Sequence, residues 1–173
     1  MSKDFLETIL TRHSVRHFTG EPVSGDDLKK VLKAGMSAPS AVNTQPWAFI
    51  VVTKKKLLDL LCESLSYAKM LDKAGAAVIV CGVPDKDKDY ASKFWVMDCS
   101  AATENILLAV HGLGLGAVWT AVYPDEEKIK AVREILKIPS EIIPLNVIPI
   151  GVPVGDERPK DKFKKENIHR EIW

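Results

Sequence analysis

One long apolar segment constrains the fold more than any other feature. Residues 94–113 have the length of a helix, and their apolar residues fall on nearly all sides of it: Met97, Ala101, Ala102, Ile106, Leu107, Ala109 and Val110. A helix that is hydrophobic all round must be buried on all sides. In a chain of 173 residues, this predicts a helix at the centre of the core or one enclosed between two subunits.

Charge and composition exclude several classes of protein. Lys and Arg number 24 and Asp and Glu 23, a net charge of +1, whereas binding along a nucleic-acid backbone needs excess cations on one face. No apolar run reaches the length of a membrane span, and the first residues predict no signal peptide. The three cysteines, Cys62, Cys81 and Cys99, form no C-x-x-C pair. We therefore expect a reduced, cytoplasmic protein with buried thiols.

Helices and strands alternate around the long segment. Helical spacing covers residues 1–11, 24–35, 54–67 and 125–136, and apolar runs of strand length cover residues 47–53, 76–83, 114–122 and 142–152. Pro144 and Pro149 suggest that the last strand is an irregular edge strand or has an irregular start. Such alternation ordinarily indicates a doubly wound parallel sheet. The two opening helices and the long charged tail do not fit that fold.

The tail keeps three large apolar residues, Phe163, Ile168 and Trp173. A segment exposed to solvent does not usually carry such residues. We therefore expect a single domain over residues 1–155 and a C-terminal tail over residues 156–173 that packs on a partner subunit.

Arginine is rare in this chain and unevenly placed. Two of the five arginines, Arg12 and Arg16, lie within five residues of each other. If this stretch is extended, Arg12, Ser14 and Arg16 share one face and Val15 points away. Two guanidinium groups and a hydroxyl suit a phosphate monoester. The alternative is a solvated turn whose cations pair with nearby acids.

Two further loops carry polar groups. Arg158 and Lys160 alternate after the last strand, which places three of the five arginines in two short segments. Residues 39–47 form a polar loop in which Asn43 and Gln45 each offer a donor and an acceptor, as the edge of a heterocycle or a polyol requires. Taken alone, that loop is better explained as a turn that satisfies its own backbone.

Four motifs are spread over residues 12–160. They are R-x-S-x-R from Arg12, P-S-x-x-N-x-Q-P-W from Pro39, G-L-G-x-G-x-x-W ending at Trp119, and G-x-P-x-x-x-x-R-P-K ending at Lys160. Their order and spacing together resemble the nitroreductase family of FMN-dependent oxidoreductases. Each motif is weak alone, and the joint match is specific.

The resemblance implies an α+β fold in which a mixed central β-sheet is flanked by helices, in an intertwined homodimer with two active sites at the subunit interface. One subunit would hold the flavin through its N-terminal motif and Arg158, the loop at residues 39–45 would come partly from the other, and residues 119–121 would lie along the flavin near N5. The implied cofactor-binding residues are Arg12, His13, Ser14, Arg16, Pro39, Ser40, Ala41, Asn43, Gln45, Trp119, Thr120, Ala121, Gly151 and Arg158.

The implied reaction is hydride transfer from NADH or NADPH, through FMN, to an electron-poor small molecule such as a nitroaromatic, a quinone or another flavin, in a ping-pong cycle. Because the cofactor carries this chemistry, no catalytic side chain is expected, and the four histidines lack the spacing of a metal site. The alternatives are a dimer that stores FMN without turnover, and a flavin-fragmenting or dehalogenating relative, which would need dedicated lid residues.

Two departures from the family pattern affect the site. Ala121 stands where many relatives have glycine, so the sequence does not identify which backbone amide meets flavin N5. Residues 82–96 form a short segment at the place where larger relatives insert helices. The short segment predicts an open and less selective site. Tyr90, Phe94 and Trp95 either line that site or belong to the helix core and the dimer contact.

Overall fold

The computed structural model describes residues 4–155 and 157–173. The helices are α1 (Phe5–Thr11), α2 (Gly25–Met36), α3 (Lys55–Ser64), α4 (Ala91–Gly112) and α5 (Glu126–Leu136), and the strands are β1 (Trp47–Val52), β2 (Ala76–Gly82), β3 (Gly116–Ala117), β4 (Thr120–Ala121) and β5 (Ile143–Gly151). Within these described residues, no helix has both the length and the apolar character needed to cross a membrane.

The strands form one sheet in the order β1-β2-β5-β3, and β4 also pairs with β5. All the described pairs are antiparallel, so the α+β class is confirmed, but the mixed sheet implied by the resemblance is not present within one described chain. The reason lies in the connections. Val52 at the end of β1 lies opposite Ala77 near the start of β2, so α3 returns the chain to the same end of the sheet and makes no parallel crossover.

The edge position predicted for the last strand was wrong. β5 is central, with β2 on one side and both β3 and β4 on the other. Pro144 lies opposite Cys81, beside the register shift between Val80 and Cys81. Pro149 lies between the stretch of β5 that pairs with β3 and the stretch that pairs with β4. Both prolines thus occupy irregular points of the ladder, where a missing N–H is tolerated.

Helices cover both faces of the sheet. Val78 and Val80 of β2 belong to the cluster that includes Ile106 of α4. The alternate residue Ile79 packs in a second cluster with α3 and α5. Since successive side chains of a strand point to opposite faces, α2 and α4 lie on one face of the sheet and α3 and α5 on the other.

The long apolar helix is buried on one side only in this chain. Trp95, Cys99, Ala102, Ile106 and Val110 of α4 are buried, whereas Phe94 is 36% and Met97 59% exposed. Burial on all sides, the condition for a central helix, is therefore not met by one described chain. The other expected arrangement, a helix enclosed between subunits, is taken up below.

The helix ends follow local sequence signals. The Ser24 hydroxyl oxygen accepts a hydrogen bond from the Asp27 N–H at 3.0 Å and caps α2, as predicted. α3 ends at Ser64, three residues before the predicted end. α1 is described from Phe5, and residues 1–3 of the predicted helix lie outside the described residues.

Candidate functional site

Residues 12–18 lie alongside β3 and the loop that follows β5. The Val15 N–H donates to Ala117 O at 2.9 Å, and Val154 N–H donates to His17 O at 3.0 Å. Val15 is buried and Arg16 exposed, as predicted for these two residues, but the alternation does not continue, because His17 is exposed and Phe18 buried. The topology thus brings the N-terminal and C-terminal arginine motifs together.

Two glycines permit this close approach. A Cβ on Gly116 would lie 2.6 Å from Val15 Cγ1, and one on Gly151 would lie 3.0 Å from the Phe18 ring. Gly116 and Gly151 face each other in the β3–β5 ladder. The space left by the missing side chains lets the arginine-bearing segment pack directly on the sheet.

A basic cleft of about 430 Å³ lies where the two motifs meet, lined by His13, Ser14, Arg16, Glu157, Arg158, Lys160 and Lys162. Four of these side chains are cationic and one is a carboxylate. Glu157 Oε1 accepts hydrogen bonds from the backbone N–H groups of Arg16 and His17, the latter at 3.1 Å. The carboxylate therefore fastens the C-terminal loop to the N-terminal segment.

Arg158 is oriented by its own loop. Its Nη1 donates to Gly155 O at 2.7 Å and to Glu157 O at 3.1 Å. Arginine carries five N–H donors in a rigid fork, so donors remain for an anion in the cleft.

Arg12 agrees in part with the alternative of a solvated turn whose cations pair with nearby acids. Its Nε donates to Glu104 Oε1 of α4 at 3.0 Å, and it lines a neighbouring cleft that also includes Lys160 and Phe163. The motif residue His13 lines the basic cleft. Its Nδ1 is 2.9 Å from Thr11 O, and because a carbonyl can only accept, Nδ1 carries the proton.

A second cleft adjoins the first at Arg16. It has a volume of about 330 Å³ and is lined by Arg16, Tyr67, Met70, Val118, Trp119, Thr120, Ala121 and Lys128. The predicted strand at residues 114–122 is two short strands here, because Val118 and Trp119 leave the ladder between β3 and β4. The irregular backbone leaves room for the cleft.

Besides Val118 within the predicted strand, three residues of this second cleft were not predicted from the sequence. Tyr67 lies in a turn after α3, Met70 in the 3-10 helix Lys69–Lys73, and Lys128 in the first turn of α5. Lys128 Nζ is 5.9 Å from the centre of the Tyr67 ring, and Tyr67 is 81% exposed. No motif marks these positions, although an aromatic residue so exposed is a signal for a binding surface.

The polar loop at residues 39–45 lies elsewhere. Its Ala41 N–H donates to Asp98 Oδ1 of α4 at 3.1 Å, whereas Arg12 pairs with Glu104 on the same helix. Six residues of helix correspond to about 9 Å along the axis and about 240° around it. The loop and the arginine motif therefore contact different sides of α4, and the three described clefts that contain Arg16 include no loop residue.

The cysteines are not reactive groups of this site. Burial raises the pKa of both Cys81 and Cys99 to about 12, so both remain thiols at neutral pH. Cys62 is half-buried, which is more exposure than expected.

The sequence of the chain can be compared with known families and structures. The Nitroreductase family model matches residues 9–155. The chain belongs to the nitroreductase family. The family and its α+β fold are thus confirmed, as is the assignment to an oxidoreductase family.

Individual relatives of this nitroreductase-family chain match over nearly its whole length. A protein of Archaeoglobus fulgidus named "Putative NADH dehydrogenase/NAD(P)H nitroreductase" is 45% identical, with 99% of each chain covered. A crystal structure of a protein of the same name from Parabacteroides distasonis has a TM-score of 0.92 and 47% identity, with 98% of each chain covered. An FMN-dependent nitroreductase from Clostridium difficile has a TM-score of 0.88 and 28% identity over 97% of this chain and 99% of its own.

Proposed function

We propose that this protein binds FMN and uses it to pass a hydride from NADH or NADPH to an electron-poor small molecule in a ping-pong cycle. The observation that carries the proposal is the pair of clefts that meet at Arg16, one basic and one lined by the backbone of residues 119–121. Membership of the nitroreductase family and the FMN-dependent relative support the same function.

The donors in the basic cleft fit the phosphate end of FMN. Arg16, Arg158 and Ser14 offer two guanidinium groups and a hydroxyl, and Lys160 and Lys162 add charge. A phosphate monoester carries close to two negative charges at neutral pH, and charge-assisted hydrogen bonds from arginine suit it. In this proposal Arg12 contributes from the neighbouring cleft while Glu104 fixes its Nε.

The cleft at residues 119–121 fits the flat ring system. Trp119, Thr120 and Ala121 run along its wall, and Thr120 Oγ1 donates to Val147 O. Because that hydroxyl is already bonded to the sheet, the backbone groups of this stretch are the ones available to a ring edge.

When bound, FMN would accept and donate the hydride at N5, and the protein would position it and shape the acceptor site. Arg16 would neutralise charge at the junction of the two clefts. We further propose that a second subunit supplies Pro39, Ser40, Ala41, Asn43 and Gln45, because α4 separates this loop from the arginine motif in one chain.

The acceptor site is proposed to be open and tolerant. The segment between β2 and α4 is short, and Tyr90 and Phe94 are 44% and 36% exposed. Planar, electron-poor acceptors such as nitroaromatics and quinones would stack on such aromatic side chains.

The test is reconstitution followed by anaerobic reduction. The purified protein is expected to bind FMN stoichiometrically, NADH or NADPH is expected to bleach the flavin absorbance, and an added quinone or nitroaromatic is expected to restore it. Absence of FMN binding would refute the proposal as a whole. Binding without reduction by either nucleotide would favour an FMN-storing dimer.

A further inference from the structure

The loop at residues 39–45 has a strained backbone. Val42, Asn43 and Gln45 have φ values of 42°, 57° and 49°, a region that side chains other than glycine seldom adopt, and β-branched valine least of all. Such conformations cost on the order of 1–3 kcal/mol each and persist only when their surroundings hold them. Contacts must therefore hold this loop in shape.

Some of these contacts lie within the loop. The Gln45 N–H donates to Ser40 Oγ at 2.9 Å, and the Gln45 side-chain amide donates to Asn43 Oδ1 at 3.1 Å. These bonds close the loop on itself but do not fix it to the rest of the protein.

Two consecutive residues of α4 hold the two ends of the loop. Asp98 Oδ1 accepts from the Ala41 N–H at 3.1 Å, and Cys99 Sγ donates to Pro46 O at 3.6 Å. The aspartate tether is the stronger one, since a hydrogen bond to a carboxylate is charge-assisted whereas a thiol is a weak donor.

Packing alone does not account for a carboxylate at this position. Asp98 is 7% exposed, and it follows Trp95 and precedes Ala102 on the buried side of α4. Its Oδ2 is buried without a hydrogen-bond partner among the described residues, as is Thr44 Oγ1 in the loop itself. An unpartnered buried carboxylate oxygen is costly, so the bond made by Oδ1 must matter to the loop.

We propose that Asp98 is a positioning residue for the flavin site. It fixes the Ala41 amide and thereby the strained shape in which the loop presents Ser40, Asn43 and Gln45 to the cofactor bound by the partner subunit. This inference rests on the proposed function. Asp98 itself acts through the loop and need not touch the cofactor.

The test compares three variants of the full-length protein. Asp98→Ala removes the tether, and Asp98→Asn keeps an oxygen acceptor for the Ala41 N–H at nearly the same volume. Asn105→Ala is the matched control on the same helix, because the Asn105 side chain also bonds a neighbouring backbone group, Ala34 O at 3.0 Å. The Kd for FMN, the thermal midpoint of the FMN-free protein and hydrogen–deuterium exchange of a peptide covering residues 38–46 are measured for each.

The expected pattern separates positioning from stability. Asp98→Ala raises the Kd for FMN about tenfold or more, the scale of one charge-assisted hydrogen bond, and accelerates exchange in residues 38–46. Asp98→Asn stays within about threefold of the wild-type Kd, in keeping with a retained acceptor. Asn105→Ala lowers the thermal midpoint but leaves both the Kd and the loop exchange unchanged.

Three results would overturn the inference. They are an unchanged Kd in Asp98→Ala, an equal loss of affinity in Asn105→Ala at equal loss of stability, or an Asp98→Asn variant as weak as Asp98→Ala. Loop exchange that is the same in Asp98→Ala and wild type would refute the tether even without FMN. Failure of the wild-type protein to bind FMN would instead refute the proposed function.

Discussion

At the scale of single residues, Arg16 connects the parts of the candidate site. It lines both the basic cleft and the cleft at residues 119–121, and its backbone N–H is bonded to Glu157. Its position depends on Val15, which is buried against Gly116 and directs the neighbouring side chains outward. In the R-x-S-x-R motif, Val15 at the fourth position therefore anchors the segment.

Removal of Arg158 tests the basic cleft. Arg158→Ala is expected to weaken FMN binding by about 1.5–3 kcal/mol, the scale of a charge-assisted hydrogen bond, as measured by fluorescence titration. Lys130→Ala, which removes one positive charge from the exposed face of α5, is expected to leave the affinity unchanged. Equal affinity in wild type and Arg158→Ala would contradict a phosphate site at this cleft.

The glycine beneath Val15 allows a compensating pair of variants. In Gly116→Ala, the new Cβ would lie 2.6 Å from Val15 Cγ1, so the arginine segment must shift and FMN affinity is expected to fall several-fold. Val15→Gly combined with Gly116→Ala removes the three Val15 side-chain atoms that lie within 3.0 Å of the new Cβ, and part of the affinity is expected to return.

Gly25→Ala is the control for this pair, because a Cβ there meets nothing within 4 Å. It is expected to bind FMN as the wild type does. A double variant no better than Gly116→Ala alone would show that the steric explanation is wrong.

At the scale of elements, the sequence predicts type well and pairing poorly. The cap at Ser24 and the apolar runs of β1 and β2 are local signals, and their predicted elements form as expected. The central place of β5 and the break between β3 and β4 depend on contacts between distant residues, which periodicity does not encode. The same holds for the site: motifs identified Arg16 and Arg158, but Tyr67, Met70 and Lys128 lie in no motif.

Buried thiols on the two faces of the sheet give the fold a predicted pH dependence. Burial raises the pKa of Cys81 and Cys99 to about 12, while unfolded thiols ionise near pH ~8.5. Between these values the unfolded chain binds fewer protons than the folded one. The two thiols therefore contribute their full stabilisation below pH ~8.5. As pH rises from there toward about 12, the free energy of unfolding falls by up to about 1.4 kcal/mol per pH unit for each thiol.

Denaturant titrations between pH 8 and 10.5 would measure this slope. Cys99→Ala is expected to flatten it, whatever its effect on absolute stability. Cys62→Ala, at the half-buried cysteine on α3, is the matched control and is expected to leave the slope as in wild type. A slope that is the same in all three proteins would contradict the assignment to the buried thiols.

At the scale of the whole molecule, large apolar side chains are exposed in three places. They are α1, with Phe5 70% and Leu10 74% exposed, the outer side of α4 at Met97, and the tail at Phe163 and Trp173. Large apolar residues grouped in this way mark an interaction surface. We propose that a second copy of the chain covers them and supplies the loop at residues 39–45 to the arginine motif, which one chain does not do.

A charge on the outer side of α4 tests this arrangement. Met97→Glu places a carboxylate where Met97 is 59% exposed in one chain, so the single subunit is expected to fold. Between two subunits the same carboxylate would be buried without a partner charge, which destabilises the dimer. Light scattering is expected to give twice the chain mass for wild type and a single chain mass, or a strongly raised dimer Kd, for the variant.

The FMN affinity of Met97→Glu is expected to fall along with dimer formation, because the loop would come from the partner. Leu60→Glu, at a 37% exposed apolar position on α3 across the sheet from α4, is expected to remain dimeric and to bind FMN. A wild-type monomer that binds FMN, or a Met97→Glu dimer that loses it, would separate the cofactor site from the subunit interface and refute the shared-site arrangement.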